Sequence, residues 1–174
     1  MNSRLMLVIG AVAGVATAAA AATAGAPTDP QIAHIAYTAG SLDIAAAKQA
    51  LAKSHDPQVR DFAQLMLRDH EAVNVQALAL VKKLGVTPEA NGTSQALEQQ
   101  AAATMRRLAS LQGSAFDRAY VANEAAFHKA VNAALADTLV PSAQNGELKA
   151  LLETGLTLFK EHQAHAEHLA AKVK

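Results

Sequence analysis

The sequence contains no cysteine and no tryptophan, and aromatic residues make up only 3% of its 174 residues. Without cysteine the chain can form no disulfide, no thiolate metal site, no cysteine-linked haem and no lipid anchor on cysteine. Lysine plus arginine total 15, aspartate plus glutamate also total 15, and no basic tract is present. Nucleic acid is therefore not expected as a partner, because binding it requires a positively charged surface.

Long apolar runs are also scarce, and the one at the N-terminus has the layout of a secretory signal peptide. Arg4 precedes an apolar stretch rich in alanine and glycine, which ends in small residues. The stretch is too short and too weakly apolar to predict a membrane anchor. Ala22 and Ala24 form a small-x-small pattern, which predicts cleavage after Ala24. Residues 1–24 are then the signal peptide and residues 25–174 one mature domain. We expect a periplasmic or secreted protein without stable membrane insertion after cleavage.

The mature chain is rich in alanine and leucine and poor in β-branched residues, which favours an all-α domain. Asp-Pro-Gln occurs at 29–31 and again at 56–58, a pattern typical of helix starts with Asp as N-cap and Pro in the first turn. Glycine, proline and asparagine then mark the turns between helices. We predict helix A from Pro30 to Lys53, helix B from Pro57 to Leu84, a shorter helix at 95–112, helix C from Ser114 to Thr138, and helix D from Glu147 to Ala171.

The connection between helices B and C is unusually long. It covers residues 85–113 and contains its own helix, which is about 27 Å long at the usual rise per residue. A connection of that length can cross the whole domain. It favours a ferritin-like four-helix bundle with one long crossover over a plain up-and-down bundle.

Residues that face the core of such a bundle recur at alternating spacings of four and three, which we call the seam. The seam of helix B is apolar except for His70, and that of helix D is apolar except for His162. Helix C carries Glu124 and His128 on its seam, and helix A carries Asp43. All five lie near the middle of their helices, so packing the helices side by side brings them to one level. The sequence predicts one buried polar layer with three imidazoles and one or two carboxylates.

Such a layer must be paired internally or bind an ion, because burying these groups alone costs several kcal/mol. Neutral imidazole is a common ligand of Zn, Cu, Fe and Ni, and a carboxylate balances charge or accepts a histidine N–H. We predict one transition-metal ion held by His70, His128 and His162, with Glu124 or Asp43 as fourth ligand or as hydrogen-bond acceptor. The alternatives are a metal-free polar layer that fixes the helix register and, more remotely, haem held non-covalently between two histidines.

Three residues beside the seam are weaker candidates. Asp69 precedes His70 but points off the seam, and Tyr120 is positioned to donate a hydrogen bond from the flank of helix C. His165 lies one position before the seam of helix D, where it could line the site. His168 falls on the face predicted to meet solvent. Of the three histidines in the stretch KEHQAHAEH, His162 is a predicted ligand, His165 could line the site, and His168 is predicted to be exposed.

Three segments of the chain carry a further pattern: GSLDIAAAKQALAKSHDPQVRDFAQLMLRDHEAVN, SAFDRAYVANEAAFHKAV and LFKEHQAHAEHL. Together they resemble the bacterial envelope proteins known as domain of unknown function 4142, and the resemblance covers residues 30–172. It implies a ferritin-like bundle exported from the cytoplasm, without an established activity. The family usually has Glu where this chain has Asp43.

The wider ferritin-like group suggests what kind of metal site to expect. Its di-iron enzymes take carboxylates from two helices and Glu-x-x-His pairs from the other two. Here the positions three before the seam histidines hold Leu67, Ala125 and Phe159, so bridging carboxylates are largely missing. A mononuclear site for metal binding, sequestration or envelope stress protection is therefore favoured. The alternatives are a metal-dependent oxidoreductase or hydrolase with an open coordination position, and a metal-free structural or interaction module of the envelope.

Overall fold

The computed structural model describes residues 25–173, and within that range the chain is helical and contains no strand. The prediction of an all-α chain is confirmed. The predicted signal peptide, residues 1–24, lies outside the described residues. None of the helices in this range combines the length and apolar character that crossing a bilayer requires. The five helices are α1 (Asp29–Lys53), α2 (Pro57–Leu84), α3 (Gly92–Ser110), α4 (Gly113–Ala134) and α5 (Gly146–Ala170).

The start of α1 differs from the prediction, because Thr28 rather than Asp29 is the N-cap. The Thr28 backbone N–H donates to the side chain of Gln31 at 3.2 Å. The Asp29 carboxylate instead accepts from the backbone N–H groups of Gln144 at 2.9 Å and Asn145 at 2.8 Å. These bonds fix the start of α1 to the loop that precedes α5.

Most of the other helix ends lie within one or two residues of the prediction, and the exceptions are the start of α3, at Gly92 rather than residue 95, and the end of α4. Asp56 caps α2 as predicted, and Gly85 ends it in the left-handed conformation at φ 63°. The sequence also predicts Ser114 as the N-cap of α4, but this helix begins at Gly113 and its N-cap is Gln112. The sequence predicts an end near Thr138, but α4 continues through a π-helical turn and one further helical turn to residue 142. The wider π turn admits Pro141, whose ring would clash with the preceding turn of a regular α-helix.

Helix packing divides the interior into two apolar clusters. Helix α1 packs along α2, α4 packs along α5, α2 also contacts α5, and α3 lies against α1 and α4. The first cluster contains Phe62, Phe116 and Tyr120, and the second contains Ile32 and Leu152. On α1, α2, α4 and α5 a buried polar residue lies between the parts of the helix that belong to each cluster. A single polar layer therefore separates the two clusters.

Gly40 allows α1 and α2 to approach each other beside this layer. A Cβ atom at Gly40 would clash with the side chain of Asn74, whose amide donates to Ser41 Oγ at 3.2 Å. We expect Gly40→Ala to lower the free energy of unfolding by about 1–3 kcal/mol, since overpacking outweighs the better helix propensity of alanine. Urea unfolding measures this, with Gly92→Ala as control because its added Cβ meets no atom within 4 Å. An unchanged or raised midpoint for Gly40→Ala would contradict the close approach.

Candidate metal centre

The five side chains predicted on the seam come together in the layer between the two apolar clusters. Donor atoms of the three histidines lie within 4.8 Å of one another, and so do donor atoms of Asp43, Glu124 and His128. His128 belongs to both groups and is therefore central to the layer. All five side chains are buried, with exposed fractions of 4% for Asp43, 2% for His70, 1% for Glu124, 1% for His128 and 2% for His162.

The closest donor atoms surround one point. His70 Nε2 lies 3.4 Å from His128 Nε2 and 3.3 Å from Asp43 Oδ2. The third spacing, from Asp43 Oδ2 to His128 Nε2, is longer at 3.9 Å. Ligands bound at about 2.0–2.1 Å to a tetrahedral ion lie about 3.3–3.4 Å apart. The three atoms thus have nearly the spacing of three corners of a tetrahedral site.

The backbone of α4 fixes the tautomer of His128. Its Nδ1 lies 3.0 Å from the carbonyl oxygen of Glu124, one helical turn earlier, and a carbonyl can only accept. A neutral imidazole carries one N–H, so protonated Nδ1 leaves the lone pair on Nε2, the atom nearest to His70. A hydrogen bond of this kind orients metal-binding histidines in proteins.

Asp69 holds His162, although the seam places Asp69 among the weaker candidates. His162 Nε2 lies 3.0 Å from Asp69 Oδ2, while the buried His162 Nδ1 has no hydrogen-bond partner among the described residues. Arg68 donates to the other oxygen of Asp69 at 2.8 Å. Partial burial acts to raise the pKa of Asp69, but the hydrogen bonds from Arg68 and His162 lower it. The charged carboxylate therefore accepts from the Nε2–H of His162, and the lone pair of this imidazole is on Nδ1.

Burial keeps the imidazoles neutral. It lowers the pKa of His70 to about 3 and that of His128 to about 4, and repulsion from neighbouring histidines adds to both shifts. The pKa of His162 is also lowered by burial, although the charge of Asp69 opposes this. Neutral imidazole is the form that binds metal. The lowered pKa values therefore favour the metal-binding form of all three histidines near pH 7.

The two carboxyl groups of the layer lie against each other. Burial raises the pKa of Asp43 well above its usual value, and the charge of Glu124 adds to the rise. Burial also raises the pKa of Glu124 to about 7, although hydrogen bonds from Asp43 and Asn123 oppose it. The pKa of Tyr120 is raised by burial and by the same carboxylates. The pair requires a neutralising partner, which is a proton or a cation.

Several buried atoms of the layer also lack a hydrogen-bond partner. The buried atoms without a hydrogen bond among the described residues include His70 Nδ1, His162 Nδ1, Glu124 Oε2 and the Tyr120 hydroxyl. Each such group costs about 1–3 kcal/mol in a buried site. A set of neutral imidazoles and carboxylates with unsatisfied buried atoms has the chemistry of a cation site.

A cleft of about 230 Å³ connects the carboxyl side of the layer with the surface between α1, α3 and α4. Its wall includes Asp43 and Asn123, and the Asn123 amide donates to Glu124 Oε1 at 3.5 Å. Gln100 and Thr104 of α3 line the outer part. The layer is therefore buried but reachable by an ion or a small molecule.

Comparison with known protein families identifies the family of this chain. A family model described as domain of unknown function (DUF4142) matches residues 14–169. The chain belongs to the DUF4142 family. The family resemblance of the three sequence segments is thereby confirmed. No curated protein matches this DUF4142 chain, and neither does any solved structure.

The remaining candidates of the DUF4142 chain lie at the edge of the layer or outside it. Tyr120 is fully buried and its ring stacks on Phe116, with the centroids 6.1 Å apart and the planes 2° apart. His165 is exposed, and its ring contacts the edge of Phe62 at a centroid distance of 5.1 Å rather than lining the layer. His168 is exposed, as predicted.

Asn132 also belongs to the site, although the seam does not select it. Its amide donates to the carbonyl oxygen of Phe159 at 3.1 Å and to the side chain of Gln163 at 2.9 Å, which joins α4 to α5 beside the layer. A repeat in the DUF4142 sequence is the signal for it, because His-x-Ala-Val-Asn occurs at 70–74 and again at 128–132. Each copy places an asparagine one turn after a histidine of the layer.

Asp69 offers a test of the hydrogen bond behind His162. We expect Asp69→Asn to weaken Zn²⁺ binding about 10- to 100-fold, because it removes the charge that orients this imidazole and raises its basicity. A Zn²⁺ titration of metal-stripped protein against a chromophoric chelator measures the Kd. Asp61→Asn, an exposed carboxylate on the same helix, is the control and should bind like the wild type. Equal affinity of all three proteins would show that His162 does not depend on Asp69.

Proposed function

We propose that this DUF4142 protein is exported to the bacterial envelope and binds one transition-metal ion in the core of a ferritin-like four-helix bundle. Helices α1, α2, α4 and α5 form the bundle in this proposal, and α3 is the long crossover. The role is metal binding or sequestration, or protection of the envelope under stress. Export is supported by the sequence pattern of residues 1–24, and the envelope assignment by the family resemblance.

The observation that carries the proposal is the convergence of donors from three helices on one buried point. Asp43 Oδ2, His70 Nε2 and His128 Nε2 lie 3.3–3.9 Å from one another. His162 brings the free Nδ1 from a fourth helix, and Glu124 brings an unpaired carboxylate oxygen. Imidazole and carboxylate together suit Zn, Cu, Fe or Ni.

A single ion is favoured over a pair. The positions that would supply bridging carboxylates in a di-iron site hold Leu67, Ala125 and Phe159. Phe159 instead stacks on His70, with centroids 4.8 Å apart. The available carboxylates, Asp43 and Glu124, both lie beside His128 and suffice to balance one divalent cation.

The test is the metal content of protein purified from the native envelope, by elemental analysis. We expect about one transition-metal ion per chain, none in a His70→Ala, His128→Ala double variant, and an unchanged content in a His55→Ala, His168→Ala double variant that alters exposed histidines only. Metal-free wild-type protein that also takes up no added Zn²⁺, Cu²⁺, Ni²⁺ or Fe²⁺ would contradict the proposal. It would favour the polar layer as a purely structural element.

The cleft beside Asp43 favours a second candidate, a metal-dependent oxidoreductase or hydrolase. Catalysis at a metal requires an open coordination position with access from solvent, and the cleft supplies a route. Azide added to Co²⁺-loaded protein distinguishes the two candidates. A change in the visible Co²⁺ spectrum indicates an open position, whereas an unchanged spectrum indicates a closed site suited to sequestration.

A further inference from the structure

An interior cavity of about 160 Å³ lies beside the candidate metal centre, within the second apolar cluster. Phe159 forms the partition between the two. Its ring lines the cavity and also stacks on His70, with centroids 4.8 Å apart and planes 13° apart. The cavity therefore ends one aromatic ring away from the polar layer, on the side of the second apolar cluster.

The chemistry of the cavity wall excludes polar occupants. Of the described residues that line it, none is charged, and the polar ones are Asn74, Thr93 and Gln100. Asn74 already donates to Ser41, while Thr93 and Gln100 are exposed on α3 and mark the mouth. A water molecule in a cavity needs two to four polar partners, which the inner wall does not offer. Dry apolar cavities of about 150 Å³ bind benzene or xenon instead.

Small side chains keep this space open. In the first apolar cluster the core is filled by fully buried Phe62, Phe116 and Tyr120. Around the cavity, small residues occur on α1, α2, α4 and α5. They include Ala36, Ala39, Ala77, Ala130 and Gly155.

Gly155 shows that packing alone does not explain the choice of residues. It lies inside α5, where glycine is less favourable than alanine. A Cβ atom at this position would meet only the ring of Phe159, at 3.4 Å, which is an ordinary contact. No close approach between helices requires glycine here, so its effect is to enlarge the cavity next to the Phe159 partition.

We propose that this cavity is a binding site for a small uncharged apolar molecule, about the size of one aromatic ring. The ligand enters beside Thr93 and Gln100 and lies against Phe159. The proposal concerns binding alone and does not depend on a metal in the neighbouring layer.

Thermal unfolding of metal-stripped protein with and without toluene tests the site. At toluene ten times above its Kd, we expect the wild-type Tm to rise by about 3–5 °C. Ala77→Leu should fill the cavity, raise the Tm without toluene and remove the further rise with it. Ala79→Leu, an exposed change on the same helix, should keep the wild-type response.

Two results would overturn the proposal: no rise of the wild-type Tm at saturating toluene, or an equal rise in Ala77→Leu. Xenon provides a readout that needs no variant. A crystal of the wild-type protein under xenon pressure should show one xenon atom in the cavity, against the ring of Phe159, and its absence there would also count against the site.

Discussion

His128→Ala is expected to abolish stoichiometric metal binding, with a loss of affinity of more than about 100-fold. Losing an outer hydrogen-bond partner of a metal ligand costs about 10- to 100-fold, and loss of the ligand itself should cost more. His128 is the residue shared by both donor groups, and its Nε2 faces His70 Nε2 at 3.4 Å. The Kd for Zn²⁺, measured by chelator competition on metal-stripped protein at pH 7, gives the size of the effect.

The matched control is His168→Ala, which removes an exposed imidazole of α5 and should leave the Kd unchanged. Circular dichroism of both variants without metal separates loss of the site from loss of the fold. Wild-type affinity in a folded His128→Ala protein would mean that Zn²⁺ binds elsewhere, and the buried layer would then have no part in the metal chemistry.

Glu124→Gln is expected to stabilise the metal-free protein by about 3 kcal/mol above pH 7. Burial raises the pKa of Glu124 from its ordinary 4.5 to about 7, and each pKa unit corresponds to about 1.4 kcal/mol. The folded state therefore holds this proton between about pH 4.5 and 7, where the unfolded chain has lost it. The contribution of protonated Glu124 to the free energy of unfolding is therefore present at low pH and is lost as the pH rises through 7. Glutamine, which stays neutral, avoids that loss.

The buried histidines change the free energy of unfolding with pH in the opposite direction. The effect of Glu124 is therefore measured by comparing wild type and variant at the same pH. The pKa values of the histidines are lowered on folding, which makes these residues destabilising as the pH falls below 6.5 toward about 3 to 4. This dependence cancels between wild type and Glu124→Gln. Urea unfolding at pH 4.5 and pH 8 should show a gain for the variant only at pH 8. Glu161→Gln, an exposed control on α5, should stay within about 0.5 kcal/mol at both. A gain of equal size at both pH values would show that charge burial is not the cause.

The seam analysis places the five residues of the layer at one level because helical periodicity and depth are local properties of each helix. His70 and His162 interrupt otherwise apolar faces, and such an interruption is visible in the sequence alone. Contacts between helices are different, since they depend on helix rotation and crossing angle. The sequence therefore gives no indication that Asp69, off the seam of α2, meets His162 on α5.

Helical periodicity also does not predict polar contacts between distant residues or irregular turns within a helix. Asp29 resembles an N-cap, but its carboxylate bonds to Gln144 and Asn145, more than a hundred positions away in sequence. The π turn before Pro141 lets α4 continue past a proline that a regular α-helix would not tolerate. Helix propensity alone predicts that the helix ends there. Asn132 could have been found from the His-x-Ala-Val-Asn repeat, since it matches the surroundings of His70.

Anomalous diffraction from crystals of the metal-loaded protein, recorded at the absorption edge of the bound metal, shows directly whether the ion lies in the buried layer. We predict one strong peak per chain, about 2.0–2.2 Å from the Nε2 atoms of His70 and His128, with His162 or a carboxylate of the layer completing the coordination. Peaks confined to surface residues, with the layer free of metal and its hydrogen bonds intact, would contradict the account.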